Sequence, residues 1–325
     1  MQIIIPMAGF GSRFKAHGYQ LPKPLIAIEG KPIIAHVIDM FPGEADITLI
    51  CNRDHLEHPE YHMKETLETY APHAKIIGIE SHDLGPVYTV CQAIDVVDPK
   101  RPATVCYCDF TCDWDYAHFK KTMQDSECDG CVPAYRGFHP HYLITPTNYA
   151  NMQEQNFWMQ DIQEKQPFTD NPWEEFASSG SYYFKTGALL RHYFEKTMED
   201  NLKVNNEFYV SMAYKSMLED QKRVLVYELD HFMQWGTPQD FEEYEYWSRL
   251  FAALVGEADQ PTDKTRQHEK RVYDYWQSFF DGWNEHPYTI DKDPTLTADE
   301  KKTQKAAALA RKPKHAYMKK GVFVD

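Results

Sequence analysis

The 325-residue sequence has no apolar run approaching the roughly 20 residues that a membrane-spanning helix needs, so no membrane partner is expected. It is also short of positive charge: 34 Lys and Arg face 49 Asp and Glu, a formal net charge of −15. So acidic a surface repels a phosphate backbone, which argues against nucleic acid or anionic membrane as a partner. A local basic pocket for one small anion stays open. The opening Met1-Gln2-Ile3-Ile4-Ile5-Pro6 lacks a basic stretch, and its apolar run is too short for a signal peptide. Seven cysteines without a secretion signal then point to a reducing compartment, free thiols and a cytoplasmic location. Internal repeats and low-complexity stretches are absent as well. What is there suffices for a core: hydrophobic residues make up 42% and aromatics 14%, too many for a disordered chain. The length allows two ordinary domains, or one large α/β domain with an appendage.

Ile3, Ile4 and Ile5 form a continuous apolar run, the pattern of a strand buried on both faces. Further strands are predicted at 47–50, 75–79 and 103–108, with helices over 32–40, 62–70 and 87–94. Strands alternating with helices over the first 110 residues predict a parallel sheet with right-handed crossovers, and ligands at the carboxyl ends of its strands. From about Cys131 to Leu229 the pattern is more irregular and more aromatic. Ser181-Tyr182-Tyr183-Phe184 and 223–227 read as strands there, 189–198 and 207–218 as helices, and together they complete one mixed sheet. The stretch 256–261 reads as a linker to a tail. A helix is predicted over 264–283 and a second one from Thr297, where Thr297 and Glu300 have the spacing of a capping box. A packing appendage or an oligomerisation arm is the simplest role for this tail.

Directly after the first strand comes Ala8-Gly9-Phe10-Gly11-Ser12-Arg13. Glycines here let backbone amides close around an anion, and Arg13 places a forked cation at the same mouth. Neither the dinucleotide fingerprint nor Walker A fits, because no third glycine and no Gly-Lys-Ser/Thr closes the loop. Ten residues on, Leu21-Pro22-Lys23-Pro24-Leu25 supplies a second cation between two prolines, which stiffen the backbone and hold Lys23 in place. A tight turn and a solvated lysine are the ordinary readings of each part. Together they point to two cations converging on a polyphosphate.

These two segments, 5–14 and 22–26, resemble the signature of the sugar-1-phosphate nucleotidylyltransferases (NDP-sugar pyrophosphorylases), and the resemblance runs in order to about residue 250. Gly85-Pro86-Val87-Tyr88 occupies the place of the family's segment against the nucleobase. Cys108-Asp109 is similar to its strand-end aspartate for Mg²⁺, and Glu164-Lys165 to its Glu-Lys pair for the sugar and its phosphate. Gly180 and Tyr182 fall in a match to its Gly-x-Tyr strand, and Trp235-Gly236-Thr237-Pro238 in a match to its late Gly-Thr-Pro loop. The resemblance implies a Rossmann-like α/β fold of nucleotide-diphospho-sugar transferase type: a mixed, mostly parallel sheet flanked by helices, with a helical C-terminal appendage. The implied domain covers 1–255, with an NTP-binding half over 1–130 and an acceptor-binding half over 131–255, followed by a helical extension over 256–325.

It also implies a reaction, in which a phosphate oxygen of the acceptor attacks the α-phosphorus of an NTP and releases pyrophosphate. Such transfer asks for positioning and charge neutralisation rather than a strong base. The implied catalytic cations are Arg13, Lys23 and Lys165. Ala8, Gly9, Gly11, Ser12, Gly85 and Pro86 are implied nucleotide contacts, and Glu164, Gly180, Tyr182 and Asn206 implied acceptor contacts. Asp109 is the implied Mg²⁺ ligand. The family commonly has a second acid two residues before the Gly-Thr glycine, and here that residue is Gln234. Either Gln234 and water complete the metal site, or another acid does so, with Asp113, Asp115 and Asp230 as candidates. For Asp113 and Asp115 a helix start favours acids in any case.

Other constellations point elsewhere more weakly. Cys106, Cys108, Cys112, Cys128 and Cys131 raise a zinc reading, but Cys106 and Cys108 alternate on a strand expected to be buried, where cysteine packs as a small hydrophobe. His139-Pro140-His141 is either a ligand pair, a substrate contact or a surface loop. Asn205-Asn206 precedes a predicted helix, so its first expected duty is capping. A sugar 1-phosphate leads among acceptors, with cytidylyl transfer to a phosphocholine-like phosphate or phosphonate as the alternative and a non-catalytic regulatory homologue as the third. CTP, UTP, GTP and dTTP all stay open, as does a homo-oligomer.

Overall fold

A computed structural model describes residues 1–137, 148–229, 231–254 and 296–311. His139-Pro140-His141, Asp230, the linker at 256–261 and the helix expected over 264–283 lie outside the described residues.

In the first half, strand β1 (Gln2–Met7) leads through helix α1 (Ser12–Ala16), a small ribbon of β2 (Ala27–Ile28) and β3 (Lys31–Pro32), and α2 (Ile33–Asp39) into β4 (Ile47–Asn52). Helices α3 (Arg53–Glu57) and α4 (Met63–Tyr70) precede β5 (Lys75–Ile79). Next come α5 (Pro86–Cys91), β6 (Ala103–Cys106), β7 (Phe110–Asp113), α6 (Tyr116–Ser126) and β8 (Gly130–Tyr135). The second half contributes β9 (Ala150–Gln155), β10 (Trp158–Glu164), β11 (Phe176–Ser178), β12 (Ser181–Phe184), α7 (Gly187–Glu199), α8 (Val210–Glu219), β13 (Val224–Glu228), β14 (His231–Gln234) and α9 (Pro238–Leu254). Helix α10 (Ala298–Arg311) stands after the gap.

Among the described residues, ten strands form one sheet in the order β11-β9-β10-β13-β8-β12-β6-β1-β4-β5, while β7 and β14 make a separate ribbon. The pairs β6–β1, β1–β4 and β4–β5 are parallel, as the alternating pattern predicts. Beyond β6 the parallel character gives way. Strand β12 runs antiparallel to β6 and β8, β10 antiparallel to β9 and β13, and only β13–β8 is parallel. The sheet is therefore mixed, and mostly parallel only in its first half. One of the antiparallel pairs is the β9–β10 hairpin, whose turn residues Asn156 and Phe157 both have positive φ, the geometry that joins adjacent antiparallel strands.

The continuous apolar run of β1 is explained by two core layers. Ile3 and Ile5 pack into one with Phe14, Ile34, Phe119 and Trp235, while Ile4 packs into the other with Val87, Phe194 and Met217. Successive side chains of a strand point to opposite faces, so a sheet covered on both sides has no polar alternation. Helices α2, α4, α6 and α9 supply the first layer, and α5, α7 and α8 the second. Among the described residues no helix is long and apolar enough to cross a membrane.

Several local expectations meet the structure directly. Asp115 caps α6, accepting from the His118 amide at 2.8 Å, so the helix start explains this acid. Thr297 and Glu300 form the expected capping box: the Glu300 amide donates to Thr297 Oγ1 at 3.3 Å and the Thr297 amide to Glu300 Oε2 at 2.9 Å. Cys106 and Cys108 are buried among apolar neighbours, and burial pushes the Cys108 thiol up to about 12. The strand expected over 103–108 ends at Cys106, because the Tyr107 amide leaves the ladder to donate to Gly180 O at 2.9 Å. Asn205 and Asn206 do not cap a helix. Both take left-handed backbone in a two-residue turn closed by Val204 and Glu207, and α8 starts only at Val210.

Candidate active site

The loops at the carboxyl ends of β1, β6 and β10, with those at 82–86 and 178–180, border one cleft of about 400 Å³. Thirteen of the residues implied by the sequence line it: Ala8, Gly9, Gly11, Ser12, Arg13, Lys23, Gly85, Pro86, Asp109, Glu164, Lys165, Gly180 and Tyr182. Asn206 and Gln234 do not.

At the first end, β1 runs out at Met7 and Gly11 turns into α1 with φ of 65°, left-handed backbone that an L side chain rarely adopts. Arg13 is exposed at this mouth. Lys23 begins a short 3₁₀ turn closed by the Leu25 amide on Pro22 O at 2.8 Å, so the two prolines hold its backbone as expected. Its ammonium donates to Asp109 Oδ2 at 2.7 Å. Burial works against the charge on Lys23, but Asp109 outweighs it, and the pKa ends above the ordinary lysine value.

Asp109 is itself fixed from the ribbon, where the Trp235 amide donates to Asp109 O at 2.8 Å. Gly236 lies alongside: a Cβ there would stand 3.4 Å from Asp109 Oδ2, in ordinary van der Waals contact. The expected partnership of Asp109 with Gln234 across a metal is not what the geometry shows. Gln234 is buried, faces away from the cleft and donates through Nε2 to Asp240 Oδ1 at 2.9 Å, while Oε1 has no hydrogen-bond partner. Asp240 also accepts from Thr237 Oγ1 at 2.7 Å, and its own amide donates to that hydroxyl, capping α9. Burial and the charge of Asp109 raise the Asp240 pKa. Among the described residues no group of three His, Cys, Asp or Glu side chains is placed to hold a metal ion. The Asp109 carboxylate nonetheless fits Mg²⁺, which takes one or two carboxylates and fills its other positions with water and substrate phosphate.

Beside this end lies a turn built on His82. The Leu84 amide donates to His82 Nδ1 at 3.1 Å, Nε2 lies 3.0 Å from Thr89 Oγ1, and Thr89 Oγ1 donates to Gly85 O at 3.2 Å. An accepting Nδ1 requires the neutral ring, consistent with burial lowering the His82 pKa. Gly85 has φ of 88°, and a Cβ there would stand 2.8 Å from both N and O of Phe208. Phe208 is tied to this turn twice, donating to Leu84 O at 2.9 Å and accepting from the Val87 amide at 3.1 Å.

At the other end, Glu164 closes β10 and accepts from Ser211 Oγ at 2.6 Å; burial raises its carboxyl to about 7. Lys165 follows with φ of 55°. Its ammonium lies 4.4 Å from the centre of the Tyr209 ring and donates to the Tyr209 hydroxyl. Burial lowers its pKa, with Glu164 and Glu207 opposing. Tyr107, Tyr182, Glu207 and Tyr209 complete the wall. Glu207 and Tyr209 were missed because Asn206 beside them carried the expectation. The two-residue turn at 205–206 faces Glu207 and Tyr209 into the cleft and leaves Asn206 outside it.

Residues 3–164 match the MobA-like NTP transferase domain. These residues form a domain of this family. The chain is 25% identical over 251 residues to a mannose-1-phosphate guanyltransferase of Schizosaccharomyces pombe, covering 74% of this chain and 62% of that protein. It is 30% identical over 109 residues to a bifunctional protein GlmU of Burkholderia mallei, covering 34% of this chain and 22% of that protein. It thus spans less than two thirds of the curated relatives it matches. The fold is shared with a nucleoside-diphosphate-sugar pyrophosphorylase from Vibrio cholerae RC9, with a TM-score of 0.60 at 16% identity over 75% of this chain and all of that one.

Proposed function

We propose that this protein is a divalent-metal-dependent nucleotidyltransferase that joins an NTP to a sugar 1-phosphate, giving an NDP-sugar and pyrophosphate. One observation carries the reading: a single cleft has the glycine turn, Arg13, Lys23 and Asp109 at one end and the Glu164–Lys165–Tyr209 group at the other. Family membership and the names of the relatives agree with it.

In this reading, residues 1–130 hold the nucleotide and 131–255 the acceptor. Main-chain amides over 8–13 and the cations of Arg13 and Lys23 bind the triphosphate, and the Gly85-Pro86 turn supports the base. Lys165 leaves the Tyr209 ring to neutralise the acceptor phosphate, while Glu164, Gly180 and Tyr182 orient its other end. An oxygen of that phosphate, already anionic, attacks the α-phosphorus, and the bond to the bridging oxygen breaks to release pyrophosphate. No base is required, so the side chains act by position and charge. A divalent cation at Asp109, for which Mg²⁺ is the natural candidate, supplies charge neutralisation at the transferred phosphate when bound. Gln234 serves in this scheme by holding Asp240, and through it the Gly236-Thr237 segment beside Asp109.

Pyrophosphate release measured across CTP, UTP, GTP and dTTP with a panel of sugar 1-phosphates and phosphocholine tests the proposal. Turnover with a sugar 1-phosphate supports it. Turnover confined to phosphocholine moves the acceptor class, and nucleotide binding with no turnover for any pair replaces the enzyme by a binding homologue.

A further inference from the structure

The ammonium of Lys23 already occupies the position of a cation on Asp109. It donates to Oδ2 at 2.7 Å, both side chains are mostly shielded from water, and the stem of Lys23 leaves a backbone held between Pro22 and Pro24. A hard divalent ion approaches a carboxylate oxygen to about 2.0–2.1 Å. An ammonium at hydrogen-bonding distance from the same oxygen shares its lone pairs and repels the incoming charge. Arg13, which also opposes the charge on Lys23, lines the same end of the cleft beside the glycine turn. A triphosphate seated in that turn presents oxygens to which Lys23 can turn by side-chain rotation alone.

We infer that Lys23 and a divalent cation compete for the Asp109 carboxylate, so that the site takes up metal only when a triphosphate draws Lys23 away. This rests on the proposed reading of Asp109 as the metal-holding group and adds a second duty for Lys23: it stands in for the ion in the empty enzyme. Nucleotide and metal then bind with positive coupling, because each relieves an opposing cost of the other. The pair also keeps Asp109 neutralised and oriented before substrate arrives.

The test uses Mn²⁺ as the probe, with free ion followed by electron paramagnetic resonance in titrations of the full chain. Wild type without nucleotide should take up Mn²⁺ weakly, and Lys23→Met, which keeps the stem and removes the charge, should bind it about tenfold more tightly or better, the usual scale of coupling between two sites. Lys23→Arg keeps the charge and should show no gain, and Asp109→Asn added to Lys23→Met should erase it. A circular dichroism melt establishes that each variant is folded. Equal or weaker Mn²⁺ uptake by Lys23→Met, while wild type takes up Mn²⁺ with any of the four NTPs, overturns the competition and leaves the metal role of Asp109 standing. No uptake by any protein with any NTP overturns both.

Discussion

Asp109 is held from two sides, by the Lys23 ammonium on its carboxylate and by the Trp235 amide on its carbonyl. Asp109→Asn keeps the shape and removes the charge. It should lower turnover by about 10²–10³-fold, the scale of losing one electrostatic stabiliser, with an unchanged circular dichroism spectrum. Retained metal-dependent turnover places the ion elsewhere. Glu164 makes a second prediction at this scale. Burial raises its carboxyl from 4.5 to about 7, so the folded chain holds the proton more tightly than the unfolded one. The stabilising contribution is complete below about pH 4.5 and is lost as pH rises through about 7. Glu164→Gln, which cannot ionise, should melt near the wild-type temperature at about pH 5 and above it at about pH 8. A constant difference across that window means that Glu164 titrates like an exposed acid.

The turn at 82–86 and the segment at 204–209 act as one unit through Phe208. Gly85→Ala would put a Cβ against the Phe208 backbone while forcing an L residue to a φ of 88°. The expected cost is about 1–3 kcal/mol in chemical denaturation, with weaker nucleotide binding by calorimetry. Unchanged stability would show that the two segments separate freely. These elements also show how far the residues alone can be read. The first half was legible because β1 carries an unbroken apolar run, β4, β5 and β6 are short and rich in Ile, Val, Leu and Cys, and α2, α4 and α5 lie between them. The β9–β10 hairpin was not, since Asn156-Phe157 lacks the Asn-Gly form of a two-residue turn and its strands mix exposed Gln with buried Met and Ile. Thirteen cleft residues were legible because they sit in short contiguous motifs. Gln234 and Asn206 were misplaced because a motif position does not say which way a side chain faces, and the Gln234–Asp240 bond and the left-handed Asn206 decide that locally.

At the scale of the whole molecule, a chain of net charge −15 concentrates Arg13, Lys23 and Lys165 around one cleft. Acidic surroundings discourage unselective anion binding, so uptake of a triphosphate depends on the cradle itself. An NTP with Mg²⁺ at about a hundred times its dissociation constant should stabilise the fold by about 2.7 kcal/mol, read as a rise in melting temperature. No rise with any of the four NTPs counts against the cradle. The sheet also bears on how the work is done. Strands β6, β12 and β8 join the two halves without a break, with helices packed on both sides. Among the described residues one continuous sheet carries the strand ends that border both ends of the cleft, so their spacing is set by the fold. In the proposed reading, discrimination among acceptors then falls to the few side chains along the rim, and exchanging these is the economical way to change the acceptor taken.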